Sequence, residues 1–416
     1  MKKNKSGFTL IELLAVIAIL AIILVISIPK ILDVIETSKI NTLKNTAQLI
    51  ADSAEKKYTE NEAFGEENEI TCESVSKLNK EDYNKCTIIF DENGIAKVSI
   101  LGKGKFKGLK VIEATKTSAE VIKLEAPKYG ITAVEYINGL YEYYGDSYNL
   151  KIDNTKDQNI RYYGSNPNNY VIFNNELWRI IGVFGNNVKL IRKDSLGRFS
   201  WDSSESNVNG GWGVNEWSQS ALKNYLNTMY YGGTSVTCYN GKSKKEVTCP
   251  ANKLDNTSKS LIDNYTWNTG AIELGKASDT LAFYKDERGN LTGLINNDTV
   301  ERTTTWPGYI GLPYATDWAY ASGNDICEVN MRSKDSSNKY ICLNDNWMSK
   351  GEEYWTLSPR ASNVNDIWMV SNFVSVWTNS ASSPYALHPS IYLKNNVQII
   401  SGTGTSSDPY ILKAGV

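Results

Sequence analysis

Histidine is almost missing from this chain: His388 is the single one in 416 residues. That shortage removes His-His and His-Cys metal spacings and leaves no ordinary catalytic triad to draw. His388 sits beside Pro389, just before an expected strand, and reads as structural or surface-lying. No CxxC occurs among the six cysteines. An excess of charge of one sign is also absent, since 44 basic against 46 acidic side chains give a net charge of −2. Such a balance offers no broad nucleic-acid surface. Phosphate-loop chemistry is missing too: Gly102-Lys-Gly104 and Gly402-Thr-Gly404 lack the GK[ST] ending and the strand-to-helix setting, so they read as turns. Asn344-Asp345-Asn346 and Tyr284-Lys-Asp-Glu-Arg288 carry oxygen ligands but not the spaced acidic loop of an EF-hand, and solvated turns are expected there. Spacing singles out no carboxylate pair for glycoside hydrolysis, whose geometry is set by the fold. The chain is therefore expected to be no enzyme and to bind no cofactor and no metal.

One long hydrophobic run is present. From Phe8 to Ile28, 21 residues carry a single charge, Glu12, and end at Pro29. About 20 apolar residues at 1.5 Å rise each span a bilayer core as a helix. Lys2, Lys3 and Lys5 precede the run, which places the N-terminus in the cytoplasm and everything after Pro29 outside. No small-x-small cleavage site follows, so the apolar segment is expected to stay attached. A carboxylate inside such a helix costs roughly 2.5 to 3.5 kcal/mol near the bilayer centre and less toward the interface, so Glu12 calls for a cation.

The stretch GFTLIE after a short basic leader ending in Gly7 resembles the class III signal of type IV pilins and pseudopilins. The resemblance implies a cut between Gly7 and Phe8 by a prepilin peptidase, with methylation of the new amino terminus on Phe8. It also implies that Glu12 pairs with that amine of a neighbouring subunit during assembly, and that the helix bends near Pro29. The implied partners are other pilin subunits, the peptidase, and the cytoplasmic membrane before assembly. Removing residues 1–7 takes away three lysines and leaves 41 basic side chains against 46 acidic, about −5.

The cysteines fall as three local couples: Cys72 and Cys86, Cys238 and Cys249, Cys327 and Cys342. An even count in an exported chain reads as disulfides, and adjacent pairing is the simplest connectivity; buried free thiols are the alternative. Each short loop so closed stabilises by roughly 3 kcal/mol in the chain-entropy account.

Composition, 41% hydrophobic and 22% charged, is that of a globular protein with room for two or more domains. After Pro29, Leu43, Ala47, Ile50, Ala54 and Tyr58 recur at spacings of three and four, so an amphipathic helix continues to about residue 60. Its cover is expected from residues 87–125, where CTIIFDENGIAKVSILG reads as two strands around Glu92-Asn93-Gly94 and LKVIEATKTSAEVIKL adds another apolar run. The expected organisation is a leader over 1–7, the membrane and amphipathic helix over 8–62, and a small β head over 63–126. A junction over 127–159, with a short helix in TAVEYINGLYEYY, then leads to a larger domain over 160–416.

Tryptophan is absent before this larger region, and all 11 lie between Trp178 and Trp377. YVIFNNELWRIIGVFGNNVKLIRK reads as a three-stranded meander with Asn-rich turns, and IYLKNNVQII repeats the strand, Asn-Asn, strand arrangement. NEWSQSALKNYLNTMY places Trp217, Ala221, Leu222, Tyr225, Leu226 and Met229 on one helical face. The fold class expected is α+β: a long helix on a small antiparallel sheet, then a larger loop-rich α+β domain. NPNNYVIFNNELWRIIGVF, RFSWDSS, YWTLSPR and HPSIYLKNNVQIISGTGTSSDPYIL resemble a C-terminal domain recurring in surface and pilin-like proteins of Gram-positive bacteria. Where those relatives carry Arg-Pro before the final strands, this chain has His388-Pro389. At fold level WTLSPR and the loop-rich build resemble C-type-lectin-like and formylglycine-generating folds, an analogy only.

Trp201, Trp212, Trp306, Tyr309, Trp318 and Trp377 lie in loop-like segments. Flat rings with a polar edge suit sugars and protein surfaces, while any single one is expected first as core. The function expected is a filament subunit displaying a domain for adhesion or for binding a glycan or host protein, as a minor or tip subunit. A major structural pilin, a pseudopilin of a secretion or DNA-uptake machine, and a pilus-displayed enzyme are the rivals.

Overall fold

The structure, a computed structural model, describes residues 10–65, 68–79, 81–273, 279–289, 303–329, 331, 342–349, 351–371 and 375–415. The chain divides into two compact units, Met1–Glu125 with Glu142–Tyr144, and Ala126–Tyr141 with Gly145–Val416.

The first unit is built on helix α1, Leu10–Phe64, 55 residues long. At 1.5 Å per residue it reaches about 80 Å. Pro29 lies inside it, and the helix continues on both sides. A proline there removes one i→i−4 bond and crowds the preceding turn, so a bend rather than an end is the local consequence open to it. The second half of α1 buries Leu43, Ala47, Ile50, Ala51 and Ala54. These are the positions read from the apolar spacing, save that Tyr58 is only half-buried and Ala51 joins the face.

The helix face is covered by a four-stranded antiparallel meander, β1 (Tyr83–Phe90), β2 (Ala96–Gly102), β3 (Leu109–Ala114) and β4 (Val121–Lys123). Period-two alternation sends Ala96, Val98 and Ile100 of β2 and Leu109 and Val111 of β3 into one cluster with the helix. Ala47, Ala51 and Ala54 of α1 lie fully buried in that cluster. Between β1 and β2 the turn is organised by Asp91, whose Oδ1 accepts the N–H groups of Asn93 and Ile95 at 2.9 and 3.0 Å. Gly94 completes it at φ 72°. The single apolar run expected after β2 is two strands, β3 and β4, because Thr115 and Ser118 close a turn between them. The short helix α2, Cys72–Val75, has a Thr71–Ser74 capping box and is tied to β1 by the Cys72–Cys86 disulfide.

The first helix of the second unit is α3, Ala133–Tyr144, of which Ala133–Tyr141 belong to that unit; it is capped by Thr132, whose Oγ1 accepts the Glu135 N–H at 3.2 Å while Glu135 Oε2 accepts the Thr132 N–H at 3.0 Å. Its inner side, Ala133, Tyr136, Ile137, Leu140 and Tyr141, is buried. The segment read as a junction thus supplies most of a core helix and, at Leu150–Ile152, strand β5.

Two mixed sheets carry most of the remaining strands, beside two small two-stranded sheets, Cys238–Tyr239 with Glu246–Val247 and Tyr265–Asn268 with Thr305–Gly308. β5 pairs with β6 (Ile160–Tyr162), which pairs with β8 (Glu176–Phe184); β7 (Tyr170–Phe173), β8 and β9 (Asn187–Arg192) form the expected antiparallel meander. Ser390–Tyr392 adds to β9, and Tyr410–Ala414 runs parallel to β7, bringing Val397–Ser401 to the far edge. The smaller mixed sheet holds β10 (Arg198–Ser200) and the strands Pro384–Ala386, Tyr354–Pro359, Asp366–Ser371 and Ser375–Ser380. The two strands flanking Asn395-Asn396 therefore belong to different pairings rather than to one hairpin.

The expected helix from Trp217 is short α4 (Ala221–Asn224) followed by a π-helical turn over Tyr225–Tyr231. Trp217, Leu222, Tyr225 and Leu226 are buried as read, but Tyr230 takes the place expected of Met229. An i→i+5 turn holds more residues, so the face advances by one position.

Candidate functional site

The N-terminal half of α1 carries side chains that this chain leaves uncovered. Its apolar 18-residue window has mean hydropathy 3.1 and is 0% buried. Leu10 and Ile11 are 78% and 81% exposed, and the exposure continues through Ile35. So much contiguous apolar surface is stable in lipid or against neighbouring helices, not in water. Glu12 lies in the first turn, where a carboxylate also meets the positive end of the helix dipole. Gly7 and Phe8 lie outside the described residues.

The six cysteines form the three adjacent disulfides, with Cα separations of 6.1, 5.3 and 5.6 Å for Cys72–Cys86, Cys238–Cys249 and Cys327–Cys342. Three disulfides in one chain fit an oxidising compartment.

In the second unit the aromatic residues separate into two groups. Trp201 and Trp318 are fully buried, with their indole N–H groups donating to Thr356 O at 3.2 Å and to Ser349 Oγ at 3.1 Å. They fill the core, together with Trp178, Trp267, Trp355 and Trp368. Trp212, Trp306, Tyr309 and Trp377 are half-buried. Lys242 Nζ lies 3.1 Å from the Trp212 ring centre, and Tyr309 stacks on Tyr231 at 4.1 Å.

His388 is completely buried, its ring nitrogens 3.1 Å from Arg192 O and 3.1 Å from Glu352 Oε1. Of the two readings, structural or surface-lying, its burial selects the structural one. The 284–288 cluster is not a solvated turn: Glu287 is buried and accepts Ser358 Oγ–H at 2.7 Å, and Arg288 stacks 3.1 Å from the Tyr284 ring centre. Asn346 is likewise buried and donates to Trp318 O at 2.6 Å. Among the described residues no group of three or more His, Cys, Asp or Glu is placed to hold a metal ion.

Two of the cavities that open on this unit lie beside buried charged side chains. One, of about 410 Å³, is lined by Tyr170, Arg179, Lys193, Asp194, Trp347 and Glu352. Arg179 is held between the Tyr170 and Trp347 rings at 4.2 and 4.5 Å, and its Nε donates to Asn169 Oδ1 at 2.7 Å. Burial lowers it to about 10. The other, of about 760 Å³, is lined by a mixture of hydroxyl, amide, charged and valine side chains that includes Asp202, Glu205 and Lys244. Asp202 Oδ2 and Oδ1 accept the N–H groups of Val214 and Ala221 at 2.8 and 3.1 Å; burial outweighs those bonds and pushes the carboxyl up to about 6. No signal in the sequence pointed to either cavity: the walls of the first come from segments far apart in the chain, residues 170–195 and 347–352, and those of the second, although all lie within 202–244, from loops without a recognisable motif.

The uncovered apolar run from Leu10 to Ile28, with Glu12 its single charge, lies in a helix long and apolar enough to cross a membrane. Residues 2–28 match the family described as the prokaryotic N-terminal methylation motif. No curated protein and no solved structure matches the chain. The motif and the long apolar helix together support a type IV pilin-like prepilin. They imply processing by a prepilin peptidase, assembly with other pilins, and a membrane-anchored, pilus-assembled surface location.

Proposed function

We propose that the chain is a filament subunit cut between Gly7 and Phe8, methylated on Phe8, and assembled through α1, with Glu12 accepting the terminal amine of a neighbour. The observation that carries this reading is the methylation motif placed at the head of an apolar helix that is 0% buried over its membrane-length window. Glu12 is retained because lateral assembly supplies a countercharge where water does not. Pro29 is the soft point at which the helix bends as subunits pack. The basic leader and the three disulfides support export of all that follows the apolar segment.

The second unit acts outside the cell as a non-enzymatic binding domain for a glycan or a protein surface. The half-buried aromatics Trp212, Trp306, Tyr309 and Trp377 and the two cavities support that reading. Its bulk favours a minor or tip subunit over a major pilin, whose helices pack closely in every layer. In sheared filaments the subunit is expected at low abundance, and in the processed form. Replacing Gly7 with a bulky residue should leave the leader attached; a Gly7 variant processed at the normal rate would remove the leader reading.

A further inference from the structure

The centre of the second unit holds a charged cluster that neither processing nor assembly uses. Lys189, on β9, is 0% exposed, and its Nζ lies 2.6 Å from Asp317 Oδ2. Asp317 sits in the short helix Ala315–Tyr320 and is 1% exposed. Four rings enclose the amine: Tyr314, Trp267, Tyr392 and Phe184, at 4.0, 5.3, 5.3 and 5.6 Å from Nζ. On its other oxygen, Oδ1, Asp317 receives Arg161 Nη1 at 2.7 Å, and Oδ2 also accepts the Tyr314 N–H at 2.9 Å. Arg161 is itself anchored by Asp153 at 2.9 Å. Next door is the buried carboxyl of Glu287, bonded to Thr316 Oγ1 at 2.5 Å and to Ser358 Oγ at 2.7 Å.

An amine and a carboxylate held in contact inside a dry aromatic pocket are poised for more than an ion pair. Their fixed contact replaces a bimolecular encounter, an effect equivalent to very high effective molarity. Burial lowers Lys189 to about 8, which makes the neutral, nucleophilic amine accessible. Burial alone would raise Asp317, but the charges of Lys189 and Arg161 hold it below the usual carboxylate range. Within the pair, transfer of one proton from Nζ to Oδ2 gives amine and carboxylic acid, the reactive forms, without any outside base.

We propose that Lys189 and Asp317 join in an intramolecular isopeptide bond. Nζ attacks Cγ of Asp317, the Nζ–Cγ bond forms, and the Cγ–Oδ2 bond breaks. Oδ2 leaves as water with two of the three protons of the original ammonium; the third stays on the amide nitrogen. No oxidant and no cofactor enters the balance. Arg161 bonds the oxygen that remains, Oδ1, and so faces the negative charge that develops there in the tetrahedral intermediate. Water is the product, and a sealed aromatic pocket that excludes it favours the amide. The bond ties the large sheet to a helix 128 positions later in the chain, a covalent brace across a domain exposed to pulling on a filament.

The test is mass spectrometry of the full-length protein, taken from a sample whose cysteines resist alkylation in the native state, then denatured and reduced. Asp317→Ala serves as the chain that cannot form the bond, and its mass is informative whether or not it folds. The wild type is expected lighter than its sequence by one water, with trypsin failing to cut after Lys189 and a branched peptide containing Lys189 and Asp317. Asp317→Ala is expected at its calculated mass. A wild type at full mass, with Lys189 ending an ordinary tryptic peptide, would show that the pair is ionic only and overturn the proposal.

Discussion

Arg161 Nε lies 2.9 Å from Asp153 Oδ2 with the two side chains 1% and 0% exposed, so a full ion pair is sealed inside the second unit. Asp153 is further held by Thr155 Oγ1 at 2.7 Å and by the Asn159 N–H and Nδ2 at 3.0 Å each. Truncating one member of such a pair leaves an uncompensated charge, which costs roughly 3–5 kcal/mol. Asp153→Ala is therefore expected to destabilise the second unit by about that amount in denaturant unfolding. A loss below about 1 kcal/mol, the range of exposed pairs, would mean that Asp317 alone satisfies Arg161.

The pH dependence has two parts of opposite sign. Burial works against Asp153, but Arg161 and its hydrogen bonds hold it below the usual range. Its contribution is present above the unfolded pKa and is lost as acid is added. Asp202 is raised to about 6 from 3.8, so the folded chain holds that proton more tightly than the unfolded one. Stability from this group is full below 3.8 and is lost as pH rises through about 6. Asp202→Asn should flatten the unfolding free energy between these two values, and an unchanged slope would refute the upward shift.

Cys72 is 1% exposed and joins the core between α1 and the small sheet, where its bond to Cys86 closes a loop with a sequence separation of 14. Replacing both by serine is expected to cost about 3 kcal/mol through the unfolded state and to expose α1 to proteolysis near Leu43. Alkylation of the native protein should label none of the six cysteines; labelling of all six would contradict the pairing.

Glu12 should matter for assembly and not for processing. Glu12→Ala is expected to lose its leader normally, to insert in the membrane, and to be depleted from sheared filaments. Filament yield equal to wild type would eliminate the pairing with a neighbour's amine.

Binding is the remaining expectation. The chain from residue 126 onward includes α3, whose buried face belongs to the second unit, so a piece starting later would expose that core. Saturable binding of this piece to a glycan or matrix protein, reduced at least tenfold by Trp212→Ala or Trp306→Ala, would mark the adhesive face. Folded protein that binds nothing on such a panel would favour a structural subunit.

Local patterns in the sequence were enough for whatever depends on neighbours in the chain. Apolar residues at spacings of three and four specify the face of α1 that meets the sheet. Asn-Asn and Asn-Gly pairs mark turns, because positive φ is satisfied within a few residues. The methylation motif was legible for the same reason, being one continuous segment, and the disulfides because each joins cysteines no more than 15 positions apart. What only the tertiary structure decided are the meetings of distant residues: Arg161 and Lys189 on Asp317, separated by 156 and 128 positions, the parallel return of Tyr410–Ala414 beside β7, and the burial of Trp201 and Trp318. In isolation each of these charges reads as a surface residue, and each ring reads as core without saying which layer it fills. Their placement follows from which strands pair and which layers stack, and that is fixed by packing across the whole domain, where a charge is tolerated only once its partner from the other end of the chain has arrived.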